Sequence, residues 1–111
     1  MNLDCKIFEL IENEAGLAAS KTRMVFDANS SPFQATYSGP NVSNGHVIVS
    51  KQGKDLHMLY HAVTGSGDLV AGKAKVSFPE PRNGVNIMRL NWQWLTGDLS
   101  SGISVWQEVG A

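Results

Sequence analysis

The stretch that decides the fold is Asn86-Ile87-Met88-Arg89-Leu90-Asn91-Trp92-Gln93-Trp94-Leu95, in which large apolar and polar residues alternate almost throughout. Successive side chains of a β-strand point to opposite faces of the sheet, so the even-numbered apolar residues share one face. That face holds Met88, Leu90, Trp92 and Trp94. An amphipathic helix would repeat its apolar residues every three to four positions instead. The stretch therefore predicts a strand with one buried face.

Turn-forming residues divide the rest of the chain into segments of the same kind. Gly, Pro, Asn and Ser supply the backbone angles that turns require, and their clusters leave eight candidate strands. These strands are Lys6–Glu12, Thr22–Asp27, Phe33–Tyr37, Gly45–Ser50, Asp55–Val63, Leu69–Phe78, Asn86–Leu95 and Gly102–Glu108. Only Ala15–Ser20 has room for a helical turn. We expect an all-β protein, a single eight-stranded antiparallel up-and-down barrel spanning residues 1–111, because closure removes exposed sheet edges.

Composition excludes several classes of partner. The formal net charge of −1 provides no field that would attract nucleic acid or an anionic membrane. No run approaches the roughly 20 apolar residues of a membrane helix, and the amino-terminal residues lack the pattern of a secretion signal. Cys5 is the single cysteine, so the chain forms no internal disulfide. We expect a cytoplasmic protein that binds neither nucleic acid nor membranes.

Sorting the strands by the parity of their apolar residues predicts an interior rich in aromatic rings. An eight-stranded barrel is just wide enough to be filled by side chains or to hold one small ligand. The candidate ligand-binding residues are Phe26, Tyr37, Met58, Tyr60, Trp92 and Trp94. On the eighth strand the same sorting selects Ile103 and Val105, and on the sixth it places Gly72 where a neighbouring ring can approach the backbone. Two interpretations stay open: a filled core, and a cavity for a small, partly apolar molecule.

The opposite faces of the strands predict self-association. Their apolar residues are Ile48, Leu59, Val63, Ile87, Leu95 and Trp106. Such residues can form a patch on the fourth, fifth, seventh and eighth strands, and a large exposed apolar patch marks an interaction site. We expect a homodimer or homotetramer with Ile48, Leu59, Ile87, Leu95 and Trp106 in its interface. The alternative is that bulges turn some of these residues inward.

Neither a catalytic motif nor a metal-binding motif emerges from the sequence. His57 and His61 lie four residues apart on one strand, which separates them by about 13 Å and prevents them from sharing one ion. His46 on the preceding strand could in principle join either of them at one ion, but an exposed or hydrogen-bonded role is the simplest interpretation. We expect no cofactor, no metal and no catalytic residue. A small barrel enzyme that uses His57, His61 or Arg89 at the rim stays an alternative.

A set of short motifs carries a family resemblance. They are Thr22-Arg23, Ala35-Thr36-Tyr37-Ser38-Gly39, Tyr60-His61 with Gly67 and Gly72, Ser77 with Pro79-Glu80, Trp92-Gln93-Trp94, and Asp98 with Ser101-Gly102-Ile103-Ser104. From about Lys21 to Glu108 the chain resembles small bacterial proteins of unknown function with an avidin-like or lipocalin-like (calycin) barrel. It departs from their pattern at Asn91, where an acid is expected, and at Pro40, where a second glycine is expected.

The resemblance implies a fold and leaves the activity open. Proteins of this kind are often labelled N-acetylglutamate synthases. Such acetyltransferases have an α/β fold in which a Gly-rich turn presents backbone amides to the coenzyme A pyrophosphate. This sequence has neither that turn nor a helix to follow it. The synthase activity is therefore not carried over, and no biotin-site residue of the avidins can be transferred residue by residue.

Overall fold

A closed barrel of eight antiparallel strands forms the protein in a computed structural model that describes residues 2–13, 21–28 and 31–110. The strands are β1 Ile7–Asn13, β2 Arg23–Phe26, β3 Phe33–Gly39, β4 Val42–Gln52, β5 Asp55–Thr64, β6 Leu69–Ser77, β7 Ile87–Trp94 and β8 Ser101–Val109. Each strand pairs with the next, and β8 closes the barrel on β1. The predicted all-β, up-and-down barrel is confirmed. The helical turn considered at Ala15–Ser20 lies outside the described residues.

The observed strand bounds follow the predicted ones, with the largest difference at β4. This strand begins at Val42, three residues earlier than predicted, because a bulge between Val42 and Asn44 lets turn-like residues stay in register with β5. Among the described residues no helix is long and apolar enough to span a membrane.

One end of the barrel is closed by side chains. Leu3, ahead of β1, is fully buried in the same core cluster as Phe8 and Phe26. The rings of Phe8 and Phe26 meet edge to face, with their centres 6.1 Å apart. This closed end confines any internal space to the opposite end, where the β3–β4, β5–β6 and β7–β8 turns lie.

Strand β8 has the opposite parity to the one predicted. Trp106 pairs with Met88 and faces the core, where it is 4% exposed, whereas Ile103 and Val105 lie on the outer face. Towards the β7–β8 turn the interior face of β8 carries the small Ser104 and Gly102, with Gly102 directly opposite the bulky Trp92. Glycine and serine carry no hydropathy signal, so the sorting followed Ile103 and Val105 instead. Trp106 is therefore not an exposed interface residue.

Ile87 also departs from its predicted exposure. It lies on the outer face opposite Gln107 and yet is only 1% exposed. The segment that leads into β7 approaches β1, where Arg82 donates from Nη1 to Oε1 of Glu12 at 3.5 Å. Glu12 belongs to β1 and sits beyond β8, so this contact reaches across the outer face of β8. Ile87, at the end of the segment, is therefore covered and offers no interface.

Candidate functional site

The described residues leave a cavity at the end of the barrel opposite Leu3, which we call the open end. The side chains around it leave about 60 Å³ that the centre of a water molecule can occupy. One water needs roughly 10–15 Å³ on this measure, so the space holds several waters or the buried part of a small ligand. Five aromatic residues line it, namely Tyr37, Tyr60, Trp92, Trp94 and Trp106, together with aliphatic and methionine side chains and the polar Asn13 and Ser104.

The aromatic rings form a connected wall. Tyr60 contacts Tyr37 and Trp94 edge to face, with ring centres 6.4 Å and 5.4 Å apart, and Trp94 is tilted against Trp92 at 6.4 Å. Such edge-to-face pairs stabilise beyond their area of contact. The wall extends from the deep part of the cavity at the buried Trp92 to the mouth at the half-buried Trp94.

Two glycines allow the tyrosine rings to lie against the barrel wall. Gly45 is the partner of Tyr37 across β3 and β4, and Gly72 is the partner of Tyr60 across β5 and β6. A Cβ atom at either glycine would collide with the ring of its tyrosine. The close approach of a ring to Gly72 is thus confirmed. The two glycines therefore give the rings room at the wall that a larger residue would occupy.

The polar groups around the cavity fall into two kinds. Trp92 donates from Nε1 to Oδ1 of Asn13 at 3.1 Å, and Trp106 donates from Nε1 to Oγ of Ser104 at 2.9 Å. The hydroxyls of Tyr37 and Tyr60, in contrast, make no hydrogen bond within the described part of the chain, and neither is sealed from open space. A buried phenol requires a partner, so these two hydroxyls are available to a ligand or to water.

The cavity is uncharged. None of the described residues that line it is acidic or basic. Burial raises the pKa of Tyr37 to about 12, and it raises the pKa of Tyr60 further, with the nearby Tyr37 as a smaller cause. Both phenols are therefore neutral near physiological pH and can each donate and accept a hydrogen bond.

Five of the six predicted ligand-binding residues lie together at this cavity: Tyr37, Met58, Tyr60, Trp92 and Trp94. Phe26 also faces the interior as predicted, but it packs against Phe8 at the closed end and does not line this cavity. The cavity is also lined by Asn13, Ser104 and Trp106, which were not predicted from the sequence. Trp106 alternates with the small Ser104 and Gly102, and this pattern could have predicted that Trp106 faces inward.

The candidate catalytic residues face away from the cavity. His57 lies opposite Ser50 and Lys75, and Arg89 lies opposite Ser77, all on the outer surface. His61 is on that surface too, where its ring stacks on that of His46. Within residues 2–13, 21–28 and 31–110, no three His, Cys, Asp or Glu side chains come together as a metal cluster.

The outer surface keeps a smaller apolar patch than predicted. Ile48 on β4 is directly paired with Leu59 on β5, and they are 42% and 57% exposed. Leu95 is 48% exposed and lies beside β6, where its backbone N–H donates to the carbonyl of Ala71 at 2.8 Å. We call Ile48, Leu59 and Leu95 the outer patch. It borders a shallow concavity that also includes His46 and His61.

Together, the closed antiparallel barrel, its sealed end and its open aromatic end define the class of small up-and-down β-barrels with an internal cavity. The model of the avidin-like protein family matches residues 1–109, and the chain belongs to that family. The predicted family resemblance is thereby confirmed over nearly the whole chain. Neither a curated protein nor a solved structure matches the sequence.

Proposed function

We propose that this protein binds a small, uncharged, partly apolar molecule in the open end of its barrel. The observation that carries the proposal is that Tyr37 and Tyr60 line an aromatic cavity and that their hydroxyls have no partner in the described part of the chain. The interior of a purely structural barrel would be filled and its polar atoms paired. Membership of the avidin-like family supports the same role.

The lining favours a neutral planar ligand. An isolated charge buried here would find no opposite charge among the described lining residues, and its desolvation would oppose binding strongly. The edges and faces of Tyr60 and Trp94 suit a flat ring, while the phenol hydroxyls suit one donor or acceptor group on it. The small volume favours a compact molecule, or a larger one of which only part enters the barrel.

Hydroxyl deletion tests this proposal. A set of neutral heteroaromatic compounds is titrated into the protein, and tryptophan fluorescence and calorimetry report binding. For any compound that binds, Tyr60→Phe or Tyr37→Phe should weaken affinity by about tenfold, because each removes one neutral hydrogen bond. Thr36→Val is the matched control, since Thr36 also loses a hydroxyl but is exposed on the outer face next to Tyr37. Equal effects in all three variants would contradict the proposed site.

A space-filling variant separates a cavity from a filled core. Val47 is buried and lines the cavity. If the space is a ligand site, Val47→Phe fills it, abolishes binding and leaves the melting temperature unchanged or raised. If the core is already full, the larger ring costs about 1–3 kcal/mol of unfolding free energy. That loss, together with a wild-type fluorescence spectrum that no compound changes, would favour the alternative of a solid barrel with an interaction role.

We also propose that two copies associate through the outer patch. Ile48, Leu59 and Leu95 expose apolar area on neighbouring strands, and a self-complementary contact between two such faces closes a dimer. Residence in the cytoplasm stays a proposal as well, supported by the exposed free thiol of Cys5, which suits a reducing compartment. The enzymatic alternative has no support from His57, His61 or Arg89, which lie outside the cavity.

A further inference from the structure

Two histidines meet on the outer surface of the barrel. His46 on β4 is the direct register partner of His61 on β5. Their rings stack with the centres 5.4 Å apart and the planes inclined by 29°. Both side chains are exposed, so their ring nitrogens are open to solutes. Directly opposed residues on antiparallel strands hold their side chains on one face, which fixes this pairing through the backbone register.

We propose that His46 and His61 together bind a divalent transition-metal ion such as Zn²⁺ or Ni²⁺. Zinc–nitrogen bonds of about 2.1 Å put the ion roughly 3.2 Å from each ring centre, so two ring centres around a tetrahedral ion lie roughly 5.2 Å apart. The observed separation of 5.4 Å is close to that distance, and with the backbone unchanged the stacked rings must rotate about their side-chain bonds to turn one nitrogen of each towards a shared ion. Imidazole is the preferred ligand of these ions, and the pair chelates because both rings are presented on one rigid sheet.

The surroundings of the pair leave the other coordination positions free for water. In the same row of the sheet, His46 is flanked by Thr36 on β3, and His61 is flanked by Ala71 on β6, which are small and uncharged. The nearest cation in register is Lys73, which sits one row away opposite Leu59. His57, in contrast, is directly opposite Lys75, whose charge would repel an ion.

This site goes beyond ligand binding in the barrel and uses none of its residues. The sequence allowed His46 to join either His57 or His61 from an adjacent strand, and only the register of β4 and β5 shows that His61 is its partner. The same register leaves His57 opposite Ser50 and away from the pair. His57 can therefore serve as the control, because it is an exposed histidine without a histidine partner across the strand.

The test is calorimetric titration of the untagged protein with Zn²⁺ and, separately, Ni²⁺, with Mg²⁺ as a hard ion that prefers oxygen ligands. We expect one ion per chain for Zn²⁺ and Ni²⁺. His46→Gln and His61→Gln should each weaken binding by about tenfold or more, because the second ligand then no longer acts intramolecularly. His57→Gln should change nothing. All three side chains are exposed, and circular dichroism verifies that the variants fold.

Two results would overturn the proposal. One is the absence of binding by the wild-type protein at millimolar metal, and the other is an equal loss in His57→Gln. The titration is repeated on Leu59→Ser, which removes apolar area from the outer patch and adds no carboxylate beside the histidines. Retained binding there shows that one chain provides the site, whereas binding lost with association would show that the pair in one chain does not suffice.

Discussion

The ring of Tyr60 lies flat against the backbone of Gly72 on the neighbouring strand, with no room for a Cβ atom between them. This contact joins the wall of the barrel to its cavity. Gly72 lets the ring lie against β6, and the ring in turn carries its hydroxyl to the cavity and its edge to Trp94. One glycine therefore sets both the packing and the open space of the site.

Gly72→Ala should destabilise the protein and disturb the cavity. The new methyl group would force the ring of Tyr60 towards the barrel axis, at a cost of about 1–3 kcal/mol in unfolding free energy. Chemical denaturation measures that cost. Gly65→Ala is the matched control, because the nearest neighbour of a Cβ there is the carbonyl oxygen of Pro40 at 3.8 Å. If the two variants unfold alike, the contact between Tyr60 and Gly72 does not constrain the barrel.

The two neighbouring tryptophans of β7 should differ in what they stabilise. Trp92 is 6% exposed and hydrogen-bonded to Asn13, so Trp92→Ala should cost about 3–5 kcal/mol through lost transfer energy and the space left behind. Trp94 is only partly buried at the mouth, so Trp94→Ala should cost roughly 1–2 kcal/mol. Thermal and chemical unfolding compare them. A larger loss in the Trp94 variant would reverse this assignment.

The stability of the protein should fall in alkali because Tyr37 resists ionisation. Its pKa is raised by burial to about 12 in the folded chain, whereas an unfolded tyrosine titrates near about 10. The folded state thus retains a proton that the unfolded state loses, so the stabilisation is complete below about pH 10 and disappears as the pH rises towards about 12.

Denaturant unfolding near pH 9 and near pH 11 tests this dependence. At about pH 11 the contribution of Tyr37 should have fallen by about 1 kcal/mol, and Tyr37→Phe should remove that part of the pH dependence. Other groups titrate in the same range, so the difference between wild type and variant is the quantity that counts. Phenolate absorbance gives a second measurement, because Tyr37 and Tyr60 are the two tyrosines of the chain. Ionisation of either at about pH 10 in folded protein would contradict its burial.

The sequence was sufficient for most of the fold because alternation determines which residues face inward. On β7 the alternation of Met88, Leu90 and Trp92 with polar residues has one solution, and the structure confirms it. On β8 the neighbours Val105 and Trp106 are both apolar, so alternation alone does not decide which of them faces the interior. The bulky Trp92 decides this, because it requires the small Gly102 opposite it, and that requirement appears only once the register is known.

The candidate site was only partly predictable for a related reason. Residues on one strand can be assigned a face from the sequence, which brought Tyr60 and Trp94 to the site. The depth of a side chain along the barrel axis depends on how the strands are staggered. The stagger places Phe26 at the closed end, away from the cavity. Contacts between strands distant in sequence, such as Trp92 with Asn13, leave no local pattern.

Leu59→Glu should disperse an oligomer if the outer patch forms its interface. Ile48 and Leu59 oppose each other on adjacent strands, so a carboxylate at position 59 would be buried against apolar side chains of the second copy. Sedimentation of wild-type protein at micromolar concentration should show a dimer or tetramer of the 12.0 kDa chain, and the variant should sediment as a monomer. Val25→Glu places the same charge at an exposed apolar residue of β2, outside the patch, and should leave association intact. A wild-type protein that sediments as a single species near 12.0 kDa would refute self-association through this face.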